Sequence, residues 1–148
     1  MHFTLASAIE LAHVRREGGQ LAVATFDIDY FKRINDEWGH ETGDRVLAHI
    51  GQLLSAGCRE IDIAARVGGE EFAVMLPDSD SADAYAFTQR IRTALATSRS
   101  GLPAVRISAG VVSSDIPARI EQLVQRADSA LYEAKRTGRD RTTIGSID

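Results

Sequence analysis

A glycine pair followed at once by two glutamates, set between two apolar runs, constrains this chain most. The runs are Ile61 to Val67 and Phe72 to Leu76, and the full segment reads Arg66-Val67-Gly68-Gly69-Glu70-Glu71-Phe72. The spacing predicts two strands joined by a tight hairpin, with the glycines supplying positive φ angles. Two carboxylates then sit at the turn. A longer apolar run, Leu21 to Ile28, is rich in β formers and predicts a strand buried on both faces. It ends in Phe26-Asp27-Ile28-Asp29-Tyr30-Phe31-Lys32. If the two segments pair, several acids converge at one end of a sheet. Carboxylates that close repel unless neutralised, and a hard divalent cation with oxygen ligands neutralises them. Metal-assisted chemistry on a phosphate is the reading this favours.

The rest of the chain alternates helical and extended patterns. Met1 to Arg16 predicts an amphipathic helix stopped by Gly18-Gly19. Phe31 to Trp38 reads as helical up to Gly39. Val46, Leu47, Ile50, Leu53 and Leu54 mark one face of a second helix, closed by Gly57. Pro77 ends the hairpin, and Ser79, Asp80 and Ser81 offer caps for a helix carrying Ala84, Phe87, Ile91, Ala94 and Leu95. Val105 to Val112 predicts a strand, and Ile120 to Ala134 a last helix with Lys135 and Arg136 in its final turn. Arg141 to Ile144 closes as a short strand. Hairpin pairing combined with helical crossovers predicts a mixed sheet with helices packed on it. Ligands bind at the carboxyl ends of strands in open sheets of this kind.

Composition narrows the function classes. The 148 residues are one domain by length, and 44% hydrophobic with 26% charged content is ordinary for a globular protein. The formal charge of −4 argues against a nucleic-acid binder, which would carry a basic face. No apolar run approaches a membrane span, so no membrane contact is expected of this segment. There is no signal-peptide pattern. The single cysteine, Cys58, cannot form an internal disulfide and reads as a partly buried inert thiol.

Four segments, in order, carry a resemblance to the GGDEF domains, the diguanylate cyclases of bacterial signalling. They are Asp27 through Asp36, Gly39-His40 with Gly43-Asp44, Arg66 through Phe72, and Lys135 through Arg139. Glu70 stands where the family name has Asp, and Tyr30 where phenylalanine is frequent. The resemblance implies an α/β fold of the nucleotidyl-cyclase palm type, with a central, mostly antiparallel mixed sheet of about five strands flanked by helices. It implies condensation of two GTP into cyclic di-GMP and pyrophosphate by two copies of the domain face to face. The family's upstream D-x-L-T-G-L-x-N-R-R stretch is not seen, so residues 1–148 read as a single domain of a larger protein that carries sensor or dimerisation domains. Cytoplasmic localisation follows from the substrate.

The resemblance also assigns roles. Asp27, Glu70 and the Ile28 carbonyl are implied ligands of Mg²⁺, with Mn²⁺ as a substitute. Glu71 is the implied general base or a further ligand; otherwise it is a solvated hairpin glutamate. Asp29 is open between a structural hydrogen bond and a contact near the metal. Lys32 and the backbone amides of Tyr30 and Phe31 are implied contacts of a phosphate at a helix start. Lys135 and Arg139 are the implied distal phosphate cations; from position alone Lys135 could instead complement a helix C-terminus. Asn35 and Asp44 are the implied guanine readers, or helix caps. A buried Asp44 facing adenine would lack a donor, which favours GTP over ATP. His40 borders this pocket or is purely structural. Arg59 and Asp62 form an R-x-x-D pattern, by itself a surface ion pair. The resemblance makes them, with Arg90, a product-inhibition site. The alternatives are a catalytically idle cyclic di-GMP receptor and a GTP-binding regulatory module.

Overall fold

The computed structural model describes residues 3–15, 19–115 and 119–146. Strand β2 (Leu21–Ile28) is its hub, with all eight residues buried. Alternate side chains of a strand point to opposite faces. Ala22, Ala24, Phe26 and Ile28 enter one core, while Leu21 and Val23 enter the other. A nearly continuous apolar run, interrupted by Thr25 and Asp27, is what lets the strand be covered on both faces. β4 (Glu71–Pro77) and β5 (Ile107–Ser114) flank β2, both antiparallel to it. Beyond β4 lie antiparallel β3 (Ile63–Arg66) and then β1 (Phe3–Thr4), parallel to β3. β6 (Thr142–Ile144) adds a parallel edge outside β5. The sheet is mixed and has six strands, in the order β1-β3-β4-β2-β5-β6.

Two helical layers cover it. Helices α2 (Phe31–Trp38), α3 (His40–Gly57) and α4 (Ser81–Thr97) close the core around Phe26, whose ring meets Phe87 edge-on at 6.2 Å. Helices α1 (Leu5–Arg15) and α5 (Ile120–Arg136) close the other. Of the three cap candidates, Asp80 starts α4. It accepts from the Asp83 amide at 2.8 Å, and the Asp83 carboxylate accepts from the Asp80 amide at 3.0 Å. Helix and sheet meet tightly at Gly110, where a Cβ would overlap the backbone of Ala127 and Leu131. That glycine lets α5 lie directly on β5.

Several expectations shift. The first helix starts at Leu5, because Phe3 and Thr4 are drawn into pairing with Ala65 and Arg66. Its expected ends at Met1 and Arg16, and the Gly18 stop, lie outside the described residues. β5 begins at Ile107, two residues late. The signature glycines also differ: neither Gly68 nor Gly69 has a positive φ. The connection spans Val67 to Glu70, and loops of that length are built on turns that need no left-handed residue. The Arg66 guanidinium braces it instead, donating to the Gly68 carbonyl at 3.2 Å and the Gly69 carbonyl at 2.7 Å. A Cβ on either glycine would meet nothing within 4 Å, so the outer surface of the loop stays open.

Candidate active site

Strand register builds the acidic centre. Asp27 and Glu71 are direct partners in the β2–β4 ladder, and directly opposed side chains share a face. The face is the one α5 covers. Asp27, 9% exposed at its side chain, pairs through Oδ2 with the Lys135 ammonium from the last turn of α5. Its Oδ1 is buried and has no hydrogen-bond partner. Glu70, half-buried at the loop end, has its carboxyl pushed above the ordinary range, first by burial and then by the charge of Asp27. Burial also pushes Glu71 up, to about 8, with help from a hydrogen bond to Asp128 and from the charges of Asp128 and Asp27; Lys135 opposes this.

Asp128 was not foreseen. It lies seven residues before Lys135 on α5, two turns along the same face, and that spacing was the available signal. Its Oδ1 is buried without a partner. Four carboxyl groups therefore meet a single lysine. Among the described residues, no three Asp, Glu, His or Cys side chains form a cage that could hold a cation by themselves. Magnesium does not need one, since it takes one or two carboxylates and completes its shell with water and substrate phosphates. The unpartnered Asp27 Oδ1 and the excess of carboxylates fit such an ion.

The segment after β2 forms a turn. Asp29 is taken up structurally: Oδ1 accepts from Ser108 Oγ at 2.6 Å and Oδ2 from the Asp140 amide at 2.9 Å. Both of its oxygens are thus engaged in structural hydrogen bonds. Tyr30 is the N-cap of α2 in a left-handed conformation, φ 55, and no side chain caps the helix. The first-turn N–H groups beside Phe31 and Lys32 are thus those an anion would meet. Lys32 is exposed and Phe31 buried. Gly138, at φ 136, turns the chain between Lys135 and Arg139, and the Arg139 guanidinium stacks on Tyr30 at 4.8 Å. Lys135 reaches the carboxylate of Asp27, so it is not merely a helix-end cation.

Asn35 and Asp44 are not caps. The N-caps of α2 and α3 are Tyr30 and Gly39. The Asn35 amide lies against Gly43, where a Cβ would overlap its Oδ1. Asp44 opens onto a cleft of about 470 Å³ between α3 and the adjoining ends of β3 and β4, with Gln52, Ser55, Arg66 and Phe72. Asp44 is exposed, not buried as the adenine argument assumed, because it lies on the outer side of α3. His40 is exposed at the first position of α3.

Arg59, Asp62 and Arg90 line one cleft of about 300 Å³ at the other end of β4. Arg59 donates to Asp62 at 2.9 Å, to the Pro77 carbonyl at 2.6 Å and to Ser79 Oγ at 3.0 Å. The Asp62 side chain is 1% exposed, so this is a built contact and not a loose surface pair. The Arg90 guanidinium stands 5.5 Å from the Phe87 ring centroid.

The family profile described as "Diguanylate cyclase, GGDEF domain" matches residues 1–141. The chain is 42% identical over 139 residues to the diguanylate cyclase DgcP of Pseudomonas aeruginosa, covering 91% of this chain and 21% of that protein. It therefore spans about a fifth of that relative. The GGDEF domain of DgcB from Caulobacter crescentus, solved in complex with c-di-GMP, superposes with a TM-score of 0.83 at 31% identity, covering 94% and 86% of the two chains. The active GGEEF domain of a diguanylate cyclase from Vibrio cholerae gives 0.80 at 34% identity, covering 94% and 90%. With the acidic centre at the β2–β4 ladder end and these likenesses over most of its length, the chain belongs to the GGDEF domain family.

Proposed function

We propose that this domain is a diguanylate cyclase, which joins two GTP into cyclic di-GMP and releases two pyrophosphates. The observation that carries this reading is the Asp27–Glu71 register, which gathers Asp27, Glu70, Glu71, Asp128 and Lys135 at one strand end. Asp27, Glu70 and the Ile28 carbonyl would hold Mg²⁺, or Mn²⁺ in its place. When bound, the ion neutralises phosphate charge and favours ionisation of the attacking hydroxyl.

The protein's own groups do the rest. Glu71, its carboxyl pushed up to about 8 by burial and Asp128, would take the proton of the ribose 3′-hydroxyl in its ionised form, which a cation bound beside it favours. Lys32 and the α2 amides face the charge that develops on the phosphates. A guanine in the cleft beside Asp44 would cover that carboxylate and supply the N1–H and N2–H donors it accepts. Adenine has neither donor arrangement. One nucleotide per domain requires a second copy, face to face, to supply the partner hydroxyl. The cleft of Arg59, Asp62 and Arg90 is the proposed product-inhibition site. The relatives support this reading by name, and the GTP chemistry supports it by geometry.

The test is product analysis after incubation with GTP and Mg²⁺, with and without forced dimerisation, against a Glu70→Ala, Glu71→Ala control. Cyclic di-GMP from the unmodified chain alone supports the cyclase. Cyclic di-GMP binding without synthesis, even when dimerised, would replace it with the receptor reading. Tight GTP binding without product would replace it with the regulatory-module reading.

A further inference from the structure

Two guanidinium groups share one aromatic ring beside the acidic centre. Arg33 Cζ lies 4.6 Å and Arg139 Cζ 4.8 Å from the centroid of Tyr30. Like charges gathered on one ring repel, and its electron-rich faces offset part of the repulsion. Among the described residues, neither guanidinium has a carboxylate within ion-pair distance. The pair is contiguous with the catalytic centre: Arg139 Nη1 donates to the Lys135 carbonyl at 3.5 Å, and Lys135 pairs with Asp27.

The same residues wall a cleft of about 270 Å³, together with Glu37, Trp38 and Arg106. Its charge balance can be read from existing partners. Asp29 is taken by Ser108 and the Asp140 amide. Asp140 faces Arg92 at 3.4 Å and Arg106 at 3.7 Å. That leaves Asp29, held by neutral donors, and Glu37 as the carboxylates of the cleft without an ion-pair partner, and Arg33 and Arg139 as its unpaired guanidiniums. The charges of the lining balance in number, but the two unpaired guanidiniums are gathered on one ring, so positive charge is concentrated there. Guanidinium forks match phosphate oxygens in pairs, and weak hydration lets them bind where an ammonium would hold its water.

We infer that Tyr30, Arg33 and Arg139 form one phosphate subsite, which grips the distal phosphates of the nucleotide and the pyrophosphate that leaves. Arg139 was already implied as a phosphate cation. Arg33 is the added phosphate-binding residue, and Tyr30 is a positioning residue whose ring gathers the two forks. The inference rests on the nucleotide reading above.

Two ligands that do not react separate the two. Calorimetric titration in Mg²⁺ with inorganic pyrophosphate reads the subsite, and titration with GMP reads the base and α-phosphate alone. Arg33→Ala and Tyr30→Ala are expected to weaken pyrophosphate by roughly tenfold, the scale of one lost charge-assisted contact at a partly exposed site. GMP affinity should be unchanged. Tyr30→Phe keeps the ring and should keep wild-type pyrophosphate affinity. Arg33→Ala should also flatten the salt dependence of pyrophosphate binding. Wild-type pyrophosphate affinity in Arg33→Ala, or an equal loss of GMP, overturns the subsite while the nucleotide reading stands. If the unmodified chain binds neither ligand, both fall.

Discussion

At the residue scale, Glu71 links chemistry to stability. Its pKa is about 8 in the folded protein against an ordinary 4.5, raised first by burial and then by Asp128. Between those values the native state binds more protons than the unfolded chain, so stability falls as pH rises through this window. Glutamine cannot ionise. In EDTA, Glu71→Gln should flatten the fall in urea midpoint between pH 4.5 and 8 and exceed wild type at pH 8. Parallel curves would show that Glu71 ionises freely. Cys58 is a second case: burial, then the charge of Asp62, raises its thiol to about 11, against the pull of Arg59. The thiolate is the reactive form. Modification by a disulfide reagent at pH 8 should therefore be slow in the folded protein and fast in urea. Fast modification without denaturant would contradict the burial of Cys58.

At the element scale, α5 matters most, because it brings Asp128 and Lys135 down onto the sheet. Gly110 permits this, since a Cβ there would overlap the backbone of Ala127 and Leu131, neither of which can rotate away. Gly110→Ala should cost about 1–3 kcal/mol, the range for overpacking a well-filled core. Melting temperature and metal-dependent GTP binding should drop together, as α5 is lifted from β5. Loss of stability with GTP binding intact would mean that the helix position is not what holds Lys135 over Asp27. The braced loop works the other way: Arg66 supplies by hydrogen bonds the order that the glycines do not supply by conformation.

At the scale of the whole molecule, β4 separates two sites. Glu71 pairs with Asp27 at one end, and Pro77, whose carbonyl binds Arg59, pairs with Leu21 at the other. Six residues of strand put them about 20 Å apart. A ligand in the Arg59 cleft cannot touch the acidic centre of the same copy, so inhibition there would act through a change in how two copies meet. Arg59→Ala should abolish cyclic di-GMP binding at this cleft and leave GTP affinity unchanged, both read by titration. Equal loss of both ligands would show that the two ends are not independent. No helix among the described residues is long and apolar enough to cross a membrane.

Much of this was legible in the sequence because it is local. The nearly continuous apolar run of β2 required burial on both faces. Gly39, Gly57, Pro77 and Asp80 marked element ends close to where they fall. The order of acids and cations along the chain carried the family. Tertiary structure decided what depends on register and on the approach of distant elements. It set Asp27 opposite Glu71, brought Asp128 against Glu71, turned Asp29 to Ser108 and Asp140, left Asp44 exposed, and stacked Arg33 with Arg139 on Tyr30. A period of two or of 3.6 residues names the face a side chain takes, but not the partner that another element brings to it. Side-chain chemistry was therefore written in the sequence, while the neighbours that shift, satisfy or expose each group were fixed by packing.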